Sequence, residues 1–414
     1  MANTLKFIDM VAREALAIAH EKAQFIGTVD RQYDSSFGKT GAKIGSTLRV
    51  RNPNKYTRRQ GSRVMDVQDQ DESTQTITVA TQDGVDMRFN SAELALDTAN
   101  VKEVAAFSKR YIEPAVAVLV SGIEADFLAF ATKATYNVAG TAGTAINSLV
   151  APGAARAKLN QGLAPKDNMR CLQMDSVSMG DLVNGVSGYF APSGEIGKQY
   201  REGLVKRTSM ADFYENERTW SLTNGSDVTG STDAAAGVTD GGNTVNMDAT
   251  IAIGDQEVGM VFTIAGVHAC HPETKAAYPH LQQFTIVEAG TSTTVAPTIY
   301  LTGAKKNVSS STGADLATTD FDAKTLTFIG AASTTYAQPL MYHKEAFQFV
   351  TADLPLMDDA HKCTRRTSDG LSMRVWQASD IRNDEMLMRI DVLYGMASLR
   401  PEWACRLVGS AASA

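Results

Sequence analysis

The chain has little of what usually marks a chemical site. Its four cysteines, Cys171, Cys270, Cys363 and Cys405, are scattered too widely for a disulfide framework or a zinc ribbon, and a reducing compartment fits them. Histidine is scarce, and the densest ligand group is His268-Ala-Cys270-His271 with His280 a little further on. That spacing matches no zinc pattern and has no second ligand pair, so no metal is expected. No G-x-x-x-x-G-K-[ST] or G-x-G-x-x-G occurs in a strand-to-helix setting, and Gly185-Val186-Ser187-Gly188 brings its last glycine one residue too early for a nucleophile elbow. Asp358-Asp359 with His361, and Asp69 with Asp71, have neither a nucleophile nor a shifted base beside them. No catalytic constellation and no cofactor follow.

Long uninterrupted apolar runs are missing as well. Asp9, Arg13 and Glu14 break the first apolar pattern, unlike the h-region of a secretory signal, and no later stretch approaches the length needed to span a bilayer. The expectation is a soluble chain with no membrane partner. Asn224-Gly225-Ser226 and Asn307-Val308-Ser309 then match the glycosylation pattern by chance. A net charge of -7 and a pI near 5.5 argue against a domain that holds nucleic acid by dense phosphate neutralisation, so any such contact should be weak and nonspecific. With 414 residues, 43% hydrophobic and 21% charged, two or three globular domains are the prior.

What the chain does contain is periodicity. From Val101 to Ala134, Val116, Leu119, Val120, Ile123, Phe127 and Phe130 form one stripe at three- and four-residue spacing, with Ser121, Glu124 and Lys133 off it. This reads as a long amphipathic helix, kinked or broken at Pro114. Leu5, Ile8, Ala12, Ala15, Leu16 and Ala19 form a shorter helical stripe after Asn3 and Thr4, and it could pack on its own molecule or on a neighbour. From Lys43 the period becomes two. Leu48 and Val50, Ile77 and Val79, and then Val85, Met87 and Phe89 after the turn signal Asp83-Gly84 read as an antiparallel ribbon with too few large apolar residues for a core of its own.

The charges on that ribbon are sorted. Arg49, Arg51, Lys55, Arg58, Arg59 and Arg63 form a basic block, followed at once by Asp66, Asp69, Asp71 and Glu72. A solvated hairpin tip and a nucleic-acid patch are possible readings, and the adjacent acids weaken the second. The preferred reading makes these ten residues inter-subunit contacts, the basic part of one copy meeting acidic surface on the next.

Beyond a linker at Gly140–Thr144, Cys171–Met174 reads as a strand, Asp175 or Ser176 as a cap and Met179–Val183 as the start of a helix. Composition then shifts at Leu222. From there to Gln338 there is no arginine, and β-type runs appear at Thr250–Ile253, Val261–Ile264, Phe284–Val287, Thr298–Leu301 and Thr325–Ile329. This is an inserted all-β module, whose loops Gly225–Asn246 and Lys305–Thr319 read as mobile or partner-dependent. Helical and mixed character returns at Leu340–Phe347, and Met386, Met388, Ile390, Val392 and Tyr394 alternate in a closing strand.

Several stretches together resemble the major capsid proteins of tailed bacteriophages. The branch is the one typified by the coat protein of the short-tailed transducing phage of Salmonella, with an inserted domain on the Hong Kong 97 capsid fold. Asp380–Pro401, DIRNDEMLMRIDVLYGMASLRP, is similar to the family's closing segment, and Leu340–Pro355, LMYHKEAFQFVTADLP, to the segment that re-enters the main domain. Tyr200–Gly203 through Ala211–Tyr214 is similar to the segment before the insertion, and VFTIAGVHACHPETK with Leu281–Phe284 to the core of the inserted barrel.

The resemblance implies an α+β Hong Kong 97-type fold. Residues 1–37 would be the N-terminal arm, 38–92 the extended loop, 93–140 the spine helix and peripheral domain, 141–221 the axial domain, 222–339 the inserted β-domain, 340–369 the axial domain again, and 370–414 peripheral strands and the C-terminus. It also implies a subunit that self-assembles as pentamers and hexamers into an icosahedral shell around double-stranded DNA, with scaffolding protein and portal as partners. Its place would be the virion, after assembly in the bacterial cytoplasm. The alternative from composition is an exported surface or adhesin-type β-protein, and a third is an enzyme using His268 and Cys270.

Overall fold

The computed structural model describes residues 7–33, 47–90 apart from 60, 62, 66 and 69–73, 111–186, 211–357 apart from 250, and 362–410 apart from 369. The helices are α1 (Phe7–Lys22), α2 (Phe25–Thr28), α3 (Glu113–Ala134), α4 (Val150–Gln161) and α5 (Ser176–Val186). Strands before the composition change are β1 (Asp30–Tyr33), β2 (Thr47–Arg51), β3 (Thr74–Thr78), β4 (Thr81–Asn90), β5 (Val138–Gly140), β6 (Arg170–Met174) and β7 (Asp212–Glu215). The Thr- and Ser-rich segment adds β8 (Ser221–Thr223), β9 (Thr229–Ser231), β10 (Gly242–Asn246), β11 (Val261–Cys270), β12 (Ala277–Glu288), β13 (Ser292–Ile299), β14 (Val308–Ser309), β15 (Thr325–Phe328) and β16 (Thr335–Ala337). The chain closes with β17 (Leu340–His343), β18 (Phe347–Ala352), β19 (Lys362–Ser368), β20 (Leu371–Asp380), β21 (Glu385–Ser398) and β22 (Ala404–Val408). The fold is α+β, in two units.

The first unit takes residues 1–50, 75–127 and 347–397. Its sheet pairs β1 parallel to β18, and β21 antiparallel to both β20 and β4, with β19 on the far side of β20. The alternating apolar residues of β21 are there to fill one face: Met388, Ile390, Val392 and Tyr394 are all buried. Phe25 of α2 packs tilted against Phe127 at 4.9 Å and Phe127 against Phe349 at 5.6 Å, while Phe349 stacks on Tyr394 at 5.6 Å. Burying each of these rings contributes about 1.5–3 kcal/mol. Helix α1 lies against β19 and β20 of its own chain, so Ala12, Ala15, Leu16 and Ala19 are self-packed.

Three sequence expectations change in this unit. The α3 stripe holds at Val116, Leu119, Val120, Ile123 and Phe127, but Phe130 is exposed, and Glu124, placed off the stripe, is fully buried. Its carboxylate accepts the Phe25 N–H at the start of α2, which satisfies a donor that a short helix cannot. Residues 101–110 lie outside the described residues, as do Asn3, Thr4 and Leu5; the helix itself begins at Glu113 with Pro114 in its first turn, where a missing N–H costs nothing. Asp83-Gly84 is not a turn. It lies inside β4, opposite Asp391 and Val392, because a side chain at Gly84 would collide with the Asp391 carboxylate. Val85, Met87 and Phe89 are therefore the edge of this sheet, while β2 pairs with β3 alone.

At 22 residues, α3 is also long and apolar enough by length and composition to cross a membrane, contrary to the expectation that no stretch approaches that length. Half of that apolar window is buried in the core, while Val118 and Phe130 are exposed.

The second unit takes residues 51–74, 128–346 and 398–414. A five-stranded sheet runs β5-β22-β17-β6-β7, with β5–β22 and β6–β7 parallel and the central pairs antiparallel. Leu172, Met174, Met341, Cys405 and Leu407 pack there with Leu159 of α4 and Leu182 of α5. Asp175 caps α5 through its Oδ2, 3.0 Å from the Ser178 N–H, so the helix starts at Ser176, earlier than Met179.

The inserted module forms its own sheet in the order β10-β13-β12-β11-β15-β9, with β14 on β11. Its core is local: Phe262, Ile264, Phe284, Ile286, Phe321 and Phe328 pack together. The short ribbon β8–β16 closes its base. Of the run at Thr250–Ile253, Thr250 lies outside the described residues, and Ile251–Ile253 is not a strand but leads into a 3-10 turn at Ile253–Asp255, where Gly254 interrupts the pattern. Leu340–Phe347 is strand with one 3-10 turn, because alternate and central positions of β17 are all buried between β22 and β6. The loop at Lys305–Thr319 is held by the buried Lys306, whose Nζ reaches the Gly313 carbonyl at 3.0 Å and Asp315 Oδ1 at 2.5 Å.

The module is joined to the five-stranded sheet by polar contacts. Gln283 imitates a strand: its Oε1 accepts the Val138 N–H at 2.9 Å and its Nε2 donates to the Val138 carbonyl at 3.1 Å, which covers the edge of β5. Arg406 of β22 donates to the Thr135 carbonyl, the Gly259 carbonyl and Thr285 Oγ1 at 2.6, 2.6 and 2.8 Å.

Candidate assembly surfaces

Between β2 and β3 the chain leaves the ribbon and returns. Its limbs are tied by one side chain: Gln68 Oε1 accepts the Thr57 N–H at 2.8 Å, and its Nε2 donates to the Thr57 carbonyl at 2.7 Å. Beyond that clasp the Arg59 guanidinium donates to the Val64 carbonyl across the tip. Arg49, Arg51, Lys55, Arg58, Arg59 and Arg63 are all exposed, as a solvated or partner-seeking basic block requires. Asp66, Asp69, Asp71 and Glu72 lie outside the described residues.

The sequence reading missed the apolar part of this tip. Tyr56, Val64, Met65 and Val67 are all exposed beside the arginines. Exposed apolar side chains grouped on one loop mark an interaction surface more firmly than charge alone. The signal was legible in Arg63-Val64-Met65, three residues after a run that cannot form a core.

The histidine group is spent locally. His268 Nδ1 lies 3.1 Å from the Tyr278 carbonyl, and His271 Nδ1 accepts the Glu273 and Thr274 N–H groups at 3.1 and 3.2 Å, shaping the turn between β11 and β12. His280 stacks on Tyr278 at 5.3 Å, and burial, aided by Lys158 and His268, pulls its pKa down to about 4, so it is neutral. Among the described residues, no three His, Cys, Asp or Glu side chains come together as a metal site. Cys171, Cys270 and Cys405 are buried thiols, and burial pushes Cys405 up to about 12.

The nearest approach to a catalytic pair is His343 with Asp167. His343 Nε2 is 3.0 Å from Asp167 Oδ1, while Nδ1 accepts the Glu345 N–H at 3.3 Å. Both ring nitrogens are therefore engaged, with Trp403 edge-on at 5.4 Å. Among the described residues, no hydroxyl or thiol nucleophile is a hydrogen-bond partner of the ring. Gly185 is packed in α5 so closely against the Asn147 backbone that any side chain there would clash, while Ser187, Gly188, Asp358, Asp359 and His361 lie outside the described residues.

An exposed loop tip of basic and apolar side chains is thus the most prominent surface feature among the described residues. Residues 222–409 match the family model of the P22 coat protein, gene protein 5. That match marks residues 222–409 as bacteriophage coat-protein sequence. The matched stretch begins at the composition change and runs through the module, β17 to β21 and into β22. Coat proteins work as building material of the virion, in the head shell, and this is the structural role of the present chain.

Among solved structures, the chain is similar to one from Mycobacterium phage Che8, at 9% identity over 93% of this chain and 90% of that chain, with a TM-score of 0.47. It is similar to the capsid of Ralstonia phage GP4, at 7% identity over 95% and 91%, TM-score 0.47. The capsid structure of cyanophage P-SCSP1u aligns at 12% identity over 92% and 86%, TM-score 0.43. No curated protein matches the chain.

Proposed function

We propose that this coat protein assembles through pentamers and hexamers into an icosahedral head around double-stranded DNA, on a Hong Kong 97-type subunit plan, and has no enzymatic activity. The observation that carries the reading is the coat-family match over residues 222–409, which covers the inserted module together with the strands after it. In this plan residues 1–37 are the arm, 38–92 the extended loop, 93–140 the spine and peripheral domain, 141–221 and 340–369 the axial domain, 222–339 the insertion, and 370–414 the closing peripheral strands.

The physical argument points the same way. A loop with an exposed apolar and basic tip gains its stability from neighbours, and a shell supplies them. The ten charged residues from Arg49 to Glu72 are contacts between subunits in this reading. Net negative charge keeps contact with the packaged DNA weak and nonspecific. Scaffolding protein and portal are the expected partners, and the bacterial cytoplasm the place of assembly.

Sedimentation velocity on the purified chain, expressed with its neighbouring reading frames, followed by electron micrographs of the heaviest fraction, tests the reading. Closed shells of uniform size are expected. A chain that stays monomeric under those conditions would sink it.

A further inference from the structure

The whole net charge of the chain resides in one part of it. Between residues 222 and 338 there are eleven carboxylates, four lysines and no arginine, a net of -7, which equals the net charge of all 414 residues; the remainder carries 35 groups of each sign. The module is thus a net acidic body, opposite in sign to the basic block of the loop tip.

One face of the module mirrors the tip in composition. Ile253 of the 3-10 turn, Val258 and Val287 are exposed apolar residues, with Asp255, Glu257 and Glu288 among them. The two stretches are held side by side. Gln256 Oε1 accepts the Gly290 N–H at 3.1 Å and the Thr293 hydroxyl at 2.8 Å, and the Gly259 N–H donates to the Ile286 carbonyl at 2.8 Å while the Ile286 N–H donates to Met260 at 2.9 Å. The patch is therefore built, not a chance of loop placement.

The loop tip carries the complement. Val64, Met65 and Val67 are 75%, 78% and 78% exposed, flanked by Arg58 and Arg63. We propose that the tip around Val64–Val67 of one copy docks on the Ile253/Val258/Val287 patch of the module of a neighbouring copy, its arginines facing Glu257 and Glu288. The inference rests on the shell reading above and specifies which surface receives the loop. Apolar residues at the centre supply affinity, and opposite charges around them fix register and partner.

Two sets of variants of the full chain test it. In a Cys363→Ser background, Val64→Cys with Val287→Cys places one thiol on each exposed surface, while the remaining cysteines are buried. Oxidised shells should then run as an interchain ladder on a non-reducing gel, and the same variant held as monomer should not. Arg58→Glu with Arg63→Glu should lower the assembled fraction about tenfold, as should Glu257→Lys with Glu288→Lys, and combining all four should restore it. Shells of the double-cysteine variant that form in normal yield but give no ladder on oxidation overturn the docking, as does a fourfold variant no better than its parents with an unchanged melting temperature. Failure of the wild-type chain to form shells would instead overturn the shell reading. The cysteine pair lies on exposed positions, so the docking stays testable even where a charge reversal fails to fold.

Discussion

Arg374 and Arg406 are both buried in sheets, and their guanidinium groups are satisfied by different means. In the first unit Arg374 Nη2 meets Asp391 Oδ2 at 2.6 Å, and Arg389 adds a second cation at 3.0 Å from Oδ1. In the second unit Arg406 is held by two carbonyls and a hydroxyl, from the end of α3 and from the module. Burial lowers the Arg406 pKa to about 9, which still leaves it protonated at neutral pH. The ion pair is compensated between neighbouring strands, β20 and β21. The carbonyl set is compensated only when segments far apart in sequence have already come together. Arg374 therefore stabilises a sheet, and Arg406 reports that the module has been installed.

The comparison can be broken at several points. Deleting Thr223–Gln338 should have the largest effect, because it removes the Gly259 and Thr285 acceptors of Arg406 and the Gln283 cover of β5 together. With those contacts gone, the five-stranded sheet itself should fail. A deleted chain with a cooperative melt and wild-type yield of shells would show the module to be dispensable. Next comes Asp391→Asn, which leaves the Arg374 charge buried without its partner and should cost about 3–5 kcal/mol in urea unfolding. Arg406→Met removes the charge along with the donors, leaving three acceptors unpaired, and should cost about 2–4 kcal/mol. If Arg406→Met proves the more damaging, the ion pair is not the stronger device.

Gln283→Ala should cost about 1–2 kcal/mol and raise amide exchange at Val138 and its neighbours in β5, while leaving the first unit unchanged. The smallest effect belongs to Asp167. Partial burial acts to raise its carboxyl, but the Met169 N–H and the His343 imidazole outweigh it and hold the group below the ordinary carboxylate range. A carboxylate depressed in this way adds stability above its unfolded pKa, and that stability is lost as pH falls through the folded value. Asp167→Asn should therefore lower the melting temperature slightly near neutral pH, with the difference from wild type beginning to shrink only as pH falls below about 4.

The parts legible in the sequence were those encoded within a few residues. The alternation of Met388, Ile390, Val392 and Tyr394 gave β21, Asp175 gave the cap of α5, and the loss of arginine at Leu222 marked where the module begins. Asp83-Gly84 misled because its local meaning is a turn, whereas its actual use is to leave room for a carboxylate on the paired strand. Glu124 misled because charge on a helix normally faces water. At the assembly surface, the basic block was readable as a run, while the apolar patch that complements it joins residues 253–258 to 287–288 and appears in no local pattern.

The sequence by itself determined the class of elements and the sorting of charge, since periodicity and composition are properties of neighbours along the chain. Tertiary structure alone decided which buried polar groups would be satisfied and by whom. Glu124 meets Phe25 across 99 residues, Arg406 meets Thr135 across 271, and Tyr394 donates to Asp83 across 311 at 2.7 Å. A buried donor or acceptor must find a partner wherever the fold brings one, and nothing in the local sequence specifies which.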